Sequence, residues 1–277
     1  MFARQATLCS SLAISALLAA GLSASASAQE APAVHAKAEE QPFKVHKIYF
    51  ETNASACDMG IQVAFDSDGV QTATIRDPNG QVIHVVRAAG GLLGVGGQTE
   101  GFLESIEPVI PQLVHANKDC VPDRDEGSMS LSKIRQLFPE GRYEFEGTGP
   151  DGTKFDDEDE LTYDIPDGPV LLSPRNRTGV NSRIPLTIRW KPVTRTIPGL
   201  LPNGQQNGVE IIAYQVLVYD ANAGESPREF NVTVAGSQNS VTVPVQFLEP
   251  HTDYKIEVLA IEKSDNQTIT EGAFSTQ

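Results

Sequence analysis

Five consecutive carboxylates, Asp156 to Glu160, lie in the middle of the sequence within KFDDEDELTY (154–163). Carboxylate oxygens are the ligands that Ca²⁺ prefers, and a calcium site needs about six to eight oxygens. Two further acidic segments, DSDG (66–69) and DRDEG (123–127), carry the right residue types without the spacing of a calcium-binding loop. We therefore expect solvated carboxylates and no cofactor. Calcium is the alternative, and its candidate ligands are Asp66, Asp68, Asp123, Asp125, Asp156 and Asp159.

The sequence contains none of the motifs that mark common hydrolases. It has no G-x-S-x-G and no H-E-x-x-H, and the glycine-rich stretch 90–97 lacks the Gly-Lys-Ser/Thr of a phosphate-binding loop. A glycosidase needs two carboxyl groups across a groove. The sequence does not identify such a pair. Glu144 and Glu146 lie close together, but they alternate with aromatic residues in a predicted strand and should therefore point outward to solvent. We therefore predict no catalytic residue and a non-enzymatic protein.

Short alternating segments separated by turn residues predict an all-β fold. The turns include Asp77-Pro78-Asn79-Gly80 and Pro150-Asp151-Gly152, which are typical of hairpins. One short helix is expected at 130–138, behind the cap residue Ser130, whereas 89–98 and 109–127 are expected to be loops. The strands are predicted at 44–50, 60–65, 71–77, 81–87, 99–108, 141–148, 160–166, 185–190, 211–220, 229–236, 240–246, 253–262 and 272–277.

The first 28 residues have the pattern of a secretory signal peptide. Arg4 precedes an apolar run, and Ala26-Ser27-Ala28 forms an A-x-A cleavage site. Residues 29–42 have the composition of a disordered leader. We therefore expect a secreted or periplasmic protein with no membrane span in the mature chain. Cleavage after Ala28 leaves 20 Lys and Arg against 36 Asp and Glu, a net charge near −16. This negative charge makes nucleic acid a poor candidate partner.

Cleavage also removes Cys9 and leaves two cysteines, Cys57 and Cys120. In an oxidising compartment two cysteines usually pair, so we predict a disulfide bond between them. Two free buried thiols are the alternative.

The C-terminal segment LEPHTDYKIEVLAIE (248–262) resembles a signature of fibronectin type III domains, in which Leu248 and Tyr254 fall at matching positions. Trp190 in TIRW and Tyr214 in AYQVLVYD match the aromatic residues of the family's second and third strands. The resemblance implies a β-sandwich over 169–277 whose core contains Trp190, Tyr214, Leu248 and Tyr254. It also implies that Tyr254 forms a tyrosine corner.

The N-terminal part is similar, through ETNA (51–54), DPNG (77–80) and LFPEGRYEFEG (137–147), to exported bacterial proteins that carry a fibronectin-like unit at the C-terminus. Together the patterns predict two tandem β-sandwich domains of the immunoglobulin or fibronectin kind, at 43–168 and 169–277, the first with one short helix.

We predict a binding or scaffolding protein of the cell envelope or extracellular space. It would recognise a protein or a glycan through loops such as 90–98 and 192–208, of which the second is either a functional excursion or a tolerated insertion. A carbohydrate-active enzyme or its accessory module is the alternative.

Overall fold

Strands dominate the structure, a computed structural model that describes residues 40–122, 127–222, 224 and 228–277. The predicted signal peptide (1–28), nearly all of the predicted leader (29–42) and the calcium candidates Asp123 and Asp125 lie outside the described residues. The strands are β1 (Glu40–Gln41), β2 (Val45–Asn53), β3 (Asp58–Val70), β4 (Thr72–Arg76), β5 (Val82–Arg87), β6 (Gln98–Glu104), β7 (Gly141–Thr148), β8 (Lys154–Leu161), β9 (Val170–Ser173), β10 (Arg177–Val180), β11 (Leu186–Lys191), β12 (Ile211–Asp220), β13 (Glu229–Ala235), β14 (Ser240–Val243), β15 (Asp253–Glu262) and β16 (Gln267–Thr276). The helices are α1 (Gly91–Gly94), α2 (Pro111–Ala116) and α3 (Leu131–Leu137), with a 3₁₀ turn at Pro202–Gly204. The prediction of an all-β fold is confirmed.

The strands form three sheets. A five-stranded sheet has the order β1-β8-β7-β4-β5, and a three-stranded sheet has the order β14-β11-β9. The third sheet runs β13-β12-β15-β16-β2-β3-β6, with β10 also paired to β16. The N-terminal half contributes β2, β3 and β6 to this third sheet, and the C-terminal half contributes the rest. It is therefore shared by both halves.

Residue alternation determines which face of each strand is buried. In β7, Tyr143 and Phe145 are buried whereas Glu144 and Glu146 are exposed, as the sequence indicates. The turn between β4 and β5 is fixed by Asp77, whose Oδ1 accepts hydrogen bonds from the backbone amides of Asn79 and Gln81. Local sequence therefore specifies both the hairpins and their buried faces.

The C-terminal half is a sandwich of the kind found in fibronectin type III domains. Strands β9, β11 and β14 form one layer, and β13, β12, β15 and β16 form the other. Trp190, Tyr214, Leu248 and Tyr254 are all buried in the core between the layers. The Tyr254 hydroxyl accepts a hydrogen bond from the Glu249 amide at 2.8 Å and donates one to the Phe247 carbonyl at 3.3 Å. This is the arrangement of a tyrosine corner.

The N-terminal half has its own core between the five-stranded sheet and strands β2 and β3. A disulfide bond joins Cys57 to Cys120, as predicted, and connects the β2–β3 turn to the segment after α2.

The short helix α3 was predicted and is present. Its N-cap is Ser130, whose Oγ accepts a hydrogen bond from the Lys133 amide. The predicted loop 109–127 instead contains the helix α2, which begins at Pro111 and buries Leu113. Proline at a first helical position is favourable, because its missing N–H would have no partner there.

The two halves join through one sheet. β16 pairs with β2 in parallel, with Gln267 opposite Glu51 and Ile269 opposite Asn53. They belong to one compact unit. The proposed domain boundary between residues 168 and 169 stays a prediction, although the two cores are distinct.

The loop 192–208 belongs by sequence to the C-terminal half but packs against the N-terminal half. Its Ile197 and Leu200 are buried in the N-terminal core. The Ile197 amide donates a hydrogen bond to the Ile165 carbonyl at 2.9 Å. A Cβ at Gly199, which has φ +96°, would lie 2.7 Å from the Gln112 carbonyl oxygen of α2. This loop therefore links the two halves through packing and hydrogen bonds. The sequence analysis predicted either a functional excursion or a tolerated insertion, and neither includes this structural role.

Candidate functional site

An apolar pocket of about 230 Å³ lies between β3 and α3 in the N-terminal half. Strands β2 and β3 form one wall, the segment after β6 forms a second, and α3 forms a third. The lining residues are Phe50, Met59, Gly60, Ile61, Ser105, Ile106, Pro108, Met129, Ile134, Leu137 and Phe138. The wall formed by α3 is apolar because this helix is amphipathic. Its Leu131 and Ile134 are buried in the core, and Leu137 lies at the rim of the pocket.

The rim of the pocket exposes two large apolar side chains. Ile106 is 81% exposed and Leu137 is 41% exposed. The polar side chain of the lining, Ser105, is already engaged, since its Oγ accepts from the Ile61 amide and donates to the Ile106 carbonyl. The pocket therefore suits an apolar group.

A cluster of three carboxylates lies on the outer face of the shared sheet, opposite the face that carries Phe50 and Ile61. Glu51 is on β2, Glu104 is at the end of β6, and Glu107 follows three residues later. One oxygen from each can be chosen such that all lie within 4.8 Å of one another. Among the described residues this is the one such group with the ligand types of a cation site. We call it the Glu51 cluster.

Burial shapes the electrostatics of this cluster. Glu51 is 8% exposed and opposes Gln267 across the parallel pair, whose Nε2 donates a hydrogen bond to Glu51 Oε2. Burial, followed by the negative charge of Glu104, raises the pKa of Glu51 to about 7, while hydrogen bonds from Gln267 and Gln62 partly oppose the rise. Burial also raises the pKa of Glu104. The folded protein therefore favours the protonated form of Glu51 over the ionised form.

This raised pKa predicts a pH-dependent stability. A carboxyl group whose pKa rises on folding stabilises the native state fully below its unfolded pKa, near 4.5 for Glu51, and loses that contribution as the pH rises through about 7. Glu51→Gln keeps an acceptor oxygen but cannot ionise. We expect it to raise the free energy of unfolding at alkaline pH by roughly 2 kcal/mol and to leave it nearly unchanged below the unfolded pKa. Urea unfolding at both pH values measures this. Glu144→Gln on an exposed face is the matched control, and an equal gain at both pH values would contradict the assignment.

The predicted calcium ligands do not form a three-residue cluster within the described ranges. Asp66 lies on β3, and Asp68 forms an ion pair with Lys44, with Nζ and Oδ1 2.5 Å apart. Asp156 is exposed on β8, and Asp159 accepts a hydrogen bond from a backbone amide. Calcium binding by these residues stays an untested alternative to the prediction of no cofactor.

Two acids of the five-carboxylate run have a structural role that their sequence did not suggest. The run is itself strand β8, so Asp156, Glu158 and Glu160 are exposed while Asp157 and Asp159 point towards β2. Asp157 Oδ2 accepts from the Phe43 amide at 2.9 Å, and Asp159 Oδ2 accepts from the Ile48 amide at 2.8 Å. These carboxylates satisfy backbone donors of β2 and of the residues before it, in the part of the chain that lies beyond the start of β16. The expectation of a fully solvated run is therefore wrong for these two residues.

The two loops proposed to meet a partner differ in exposure. Loop 90–98 contains α1 and leaves Leu92 and Val95 exposed. Loop 192–208 buries Ile197 and Leu200 instead. Recognition of a partner by either loop stays a prediction.

Sequence inspection missed both the pocket and the Glu51 cluster. Glu51 and Glu104 lie in segments that read as ordinary strands, and Glu107 lies just beyond one. Their proximity depends on β3, which pairs with β2 on one side and with β6 on the other. The exposure of Ile106 and Leu137 at the pocket rim appears only in the structure, because Ile106 falls in a predicted strand and Leu137 in a predicted helix.

Comparisons with known proteins give structural neighbours alone. No family model matches the chain, and no curated protein matches it. Similar solved structures include the fibronectin(III)-like modules of Clostridium thermocellum CbhA, with 9% identity over 85% of this chain and 93% of that chain, and a TM-score of 0.32. The FN1–FN3 domains of chicken CNTN1 share 11% identity over 86% of this chain and 70% of that chain, with a TM-score of 0.30. An FN3 domain of human collagen XX shares 20% identity over 42% of this chain and 93% of that chain, with a TM-score of 0.26.

The description of the C-terminal half as fibronectin type III-like rests on its strand order and tyrosine corner. Within the described ranges, no helix is both long and apolar enough to cross a membrane.

Proposed function

We propose that this protein is an exported, non-catalytic binding module that holds one apolar side chain of a partner protein in the pocket between β3 and α3. The observation that carries the proposal is the pocket itself, with its apolar lining and its exposed rim residues Ile106 and Leu137. Partly exposed apolar surface next to a preformed cavity is typical of an interaction site.

The size of the pocket favours a side chain over a whole ligand. Pockets for drug-sized molecules usually enclose about 300–1,000 Å³. A volume of about 230 Å³ matches a single aromatic or large aliphatic side chain. Such buried anchors supply most of the binding energy in many protein interfaces.

The distribution of aromatic residues favours a protein over a glycan. Sugar rings present C–H faces that pack on exposed aromatic rings. Trp190 and all six tyrosines fall within the described residues, and each is buried or half-buried. Among the phenylalanines in the described ranges, Phe102 alone is exposed.

Two features support export. The first 28 residues have the signal-peptide pattern, and Cys57 is bonded to Cys120, as expected in an oxidising compartment. We place the protein in the periplasm or outside the cell.

The test uses N-acetyl amides of phenylalanine, leucine and serine with isotope-labelled protein of residues 29–277. We expect the phenylalanine and leucine amides to shift the NMR resonances of Met59 to Ile61 and of α3, and the serine amide to shift none of them. Removing both rim side chains (Ile106→Ser with Leu137→Ser) should weaken binding about fivefold, because the bound group then covers less apolar surface. The matched control replaces two exposed apolar residues of the other half (Leu172→Ser with Ile184→Ser), and equal weakening by both pairs would contradict the pocket.

The enzymatic alternative has one observation in its favour, the raised pKa of Glu51 beside two other carboxylates. Glu51 is buried and hydrogen-bonded to Gln267, so a substrate would not reach it easily. Hydrolysis of a panel of nitrophenyl glycosides by the wild type, lost in Glu51→Gln, would overturn the non-catalytic proposal.

A further inference from the structure

We infer that two copies of this protein associate through the edge strand β13, which pairs in antiparallel with the β13 of the second copy and continues the shared sheet across both molecules. The two-fold axis passes through Val232, the middle residue of β13. The dimer goes beyond the proposed function and does not depend on the pocket between β3 and α3.

β13 presents unpaired backbone groups at the end of the shared sheet, where β12 is its neighbour. The Gly236 amide donates a hydrogen bond to the Ile212 carbonyl at 2.9 Å. Because the direction of the backbone groups alternates along an antiparallel strand, the even-numbered residues of β13 face β12 and the odd-numbered residues face the open side. Asn231 and Thr233 therefore direct N–H and C=O groups to a side where the described sheet has no further strand. The chemical complement of such a row is another extended backbone.

β13 also lacks the features that usually prevent the pairing of sheet edges. Natural edges are protected by charges, prolines, bulges or short strands. Residues 230–235, FNVTVA, contain no charged residue, no proline and no glycine, and most of them have a high strand propensity. The pairing with β12 is regular along the whole strand, from Glu229 to Ala235. A strand of this kind is suited to pair with a further strand.

The other edges of the described sheets are protected. β1, β9, β10 and β14 are two to four residues long. β5 contains a register shift and ends with Arg87. A two-fold pairing of β6 centred on Phe102 would place Glu100 of one copy opposite Glu104 of the second copy. Like charges directly opposite each other destabilise a strand pair, so β13 is the edge that suits a second copy.

The inner face of β13 is complementary to itself in this register. With Val232 on the axis, Phe230 lies opposite Val234 of the second copy, and Val232 lies opposite its own equivalent. All three side chains are partly buried against the C-terminal core. Aromatic and β-branched side chains that oppose each other across an antiparallel pair stabilise it.

The outer face of β13 is compatible with the same register. Asn231 lies opposite Thr233 of the second copy on both sides of the axis, and each such pair exchanges two backbone hydrogen bonds. Glu229 lies opposite Ala235, and its Oε1 already accepts a hydrogen bond from Asn231 Nδ2 at 2.9 Å. No position in this pairing brings two like charges together, which selects a second copy as the occupant.

Sedimentation velocity of residues 29–277, at protein concentrations from about 1 µM to about 1 mM, tests the dimer. We expect a monomer–dimer equilibrium in which the dimer becomes tighter as the salt concentration rises. The net charge of −15 on each chain opposes association, and salt screens this repulsion.

Thr233→Pro removes an N–H that faces the open side. We expect it to weaken the dimer at least about thirtyfold, because each dimer loses two donors. The unfolding free energy of the monomer should change little, since proline is tolerated where the N–H of an edge strand faces solvent. The matched control is Phe102→Pro on β6, which should leave the dimer unchanged. The N–H of Phe102 also faces an open edge, because the Ser105 amide donates to the Ile61 carbonyl and the direction alternates.

A single introduced cysteine tests the register. Cys57 is bonded to Cys120, so the introduced residue is the one free thiol of the mature chain. Val232 opposes its equivalent in a non-hydrogen-bonded pair, in which the Cα atoms are about 4.5 Å apart and a disulfide bond can form. With oxidised glutathione we expect Val232→Cys to form a covalent dimer, and Val234→Cys, which lies opposite Phe230, to form none.

Several outcomes would overturn the dimer. A monomer at every concentration would do so, as would a dimer that weakens as salt rises. A dimer that withstands Thr233→Pro, or that Phe102→Pro dissociates, has its interface elsewhere. Equal cross-linking of Val232→Cys and Val234→Cys would contradict the register. Failure of the phenylalanine amide to bind the pocket would refute the proposed function and leave the dimer unaffected.

Discussion

Leu200→Ala is expected to destabilise the N-terminal half, although Leu200 belongs by sequence to the C-terminal half. Leu200 is buried in the N-terminal core together with Ile197. Replacing a buried leucine by alanine removes its burial and leaves a cavity, which costs about 2–5 kcal/mol of unfolding free energy. We expect a loss of about 3–4 kcal/mol, because the loop is held by backbone hydrogen bonds and cannot collapse freely into the space.

Two probes show whether Leu200→Ala lowers the unfolding free energy of both halves. Trp190 is the single tryptophan of the chain and is buried in the C-terminal core, so its fluorescence reports that half. Hydrogen exchange of the β4 and β7 amides reports the other half. We expect both transitions to move to lower denaturant, because the loop couples the two cores. Gln205→Ala, at an exposed position of the same loop, should change stability by less than about 0.5 kcal/mol. If the N-terminal half of Leu200→Ala kept the stability of the wild type, the loop would not link the two halves.

Asn266→Ala is expected to cost about 2–4 kcal/mol by breaking the polar junction of the two halves. Asn266 is fully buried at the start of the pairing between β16 and β2. Its Oδ1 accepts from the Phe50 amide at 2.9 Å, and its Nδ2 donates to the Thr162 carbonyl at 3.1 Å. Alanine would leave both backbone groups buried without this partner, and each such group costs about 1–3 kcal/mol.

The measurement is chemical unfolding of Asn266→Ala beside Asn239→Ala, which changes an exposed asparagine of the C-terminal half. The control should remain within about 0.5 kcal/mol of the wild type. Asn266→Asp keeps the acceptor for the Phe50 amide but has no amide donor and adds a buried charge, so it should also be destabilising, and more so at neutral than at acidic pH. Equal stability of Asn266→Ala and the control would show that the junction does not depend on this side chain.

The strands and turns could be predicted because their signals are local. The alternation in β7 places Tyr143 and Phe145 inward whatever the rest of the chain does. Likewise, Ser130 caps α3 through a bond to a residue only three positions away. The helix α2 was missed because six residues starting with proline provide little periodicity to detect.

The candidate site could not be predicted, because its parts are distant in sequence. Glu51 and Glu104 are more than fifty residues apart and become neighbours only when β3 pairs with both β2 and β6. The burial that raises the pKa of Glu51 also exists only in the folded chain, where β2 lies between β3 and β16. The role of Asp157 and Asp159 as acceptors likewise depends on where β2 lies against β8.

The sequence alone predicted the all-β class, the pairing of Cys57 with Cys120 and the fibronectin-like signature around Tyr254. These follow from residue periodicity, from a count of thiols and from a motif within one strand, and none of them needs distant contacts. Two features depended on the tertiary structure alone. Strand β16 pairs with β2, so that strands of both halves form one continuous sheet, and loop 192–208 contributes side chains to the N-terminal core. The tertiary structure also decided that Glu51 lies close to Glu104 and Glu107 on one face of the shared sheet. The physical reason is that backbone edges and apolar side chains accept many partners, and only the packed chain selects among them.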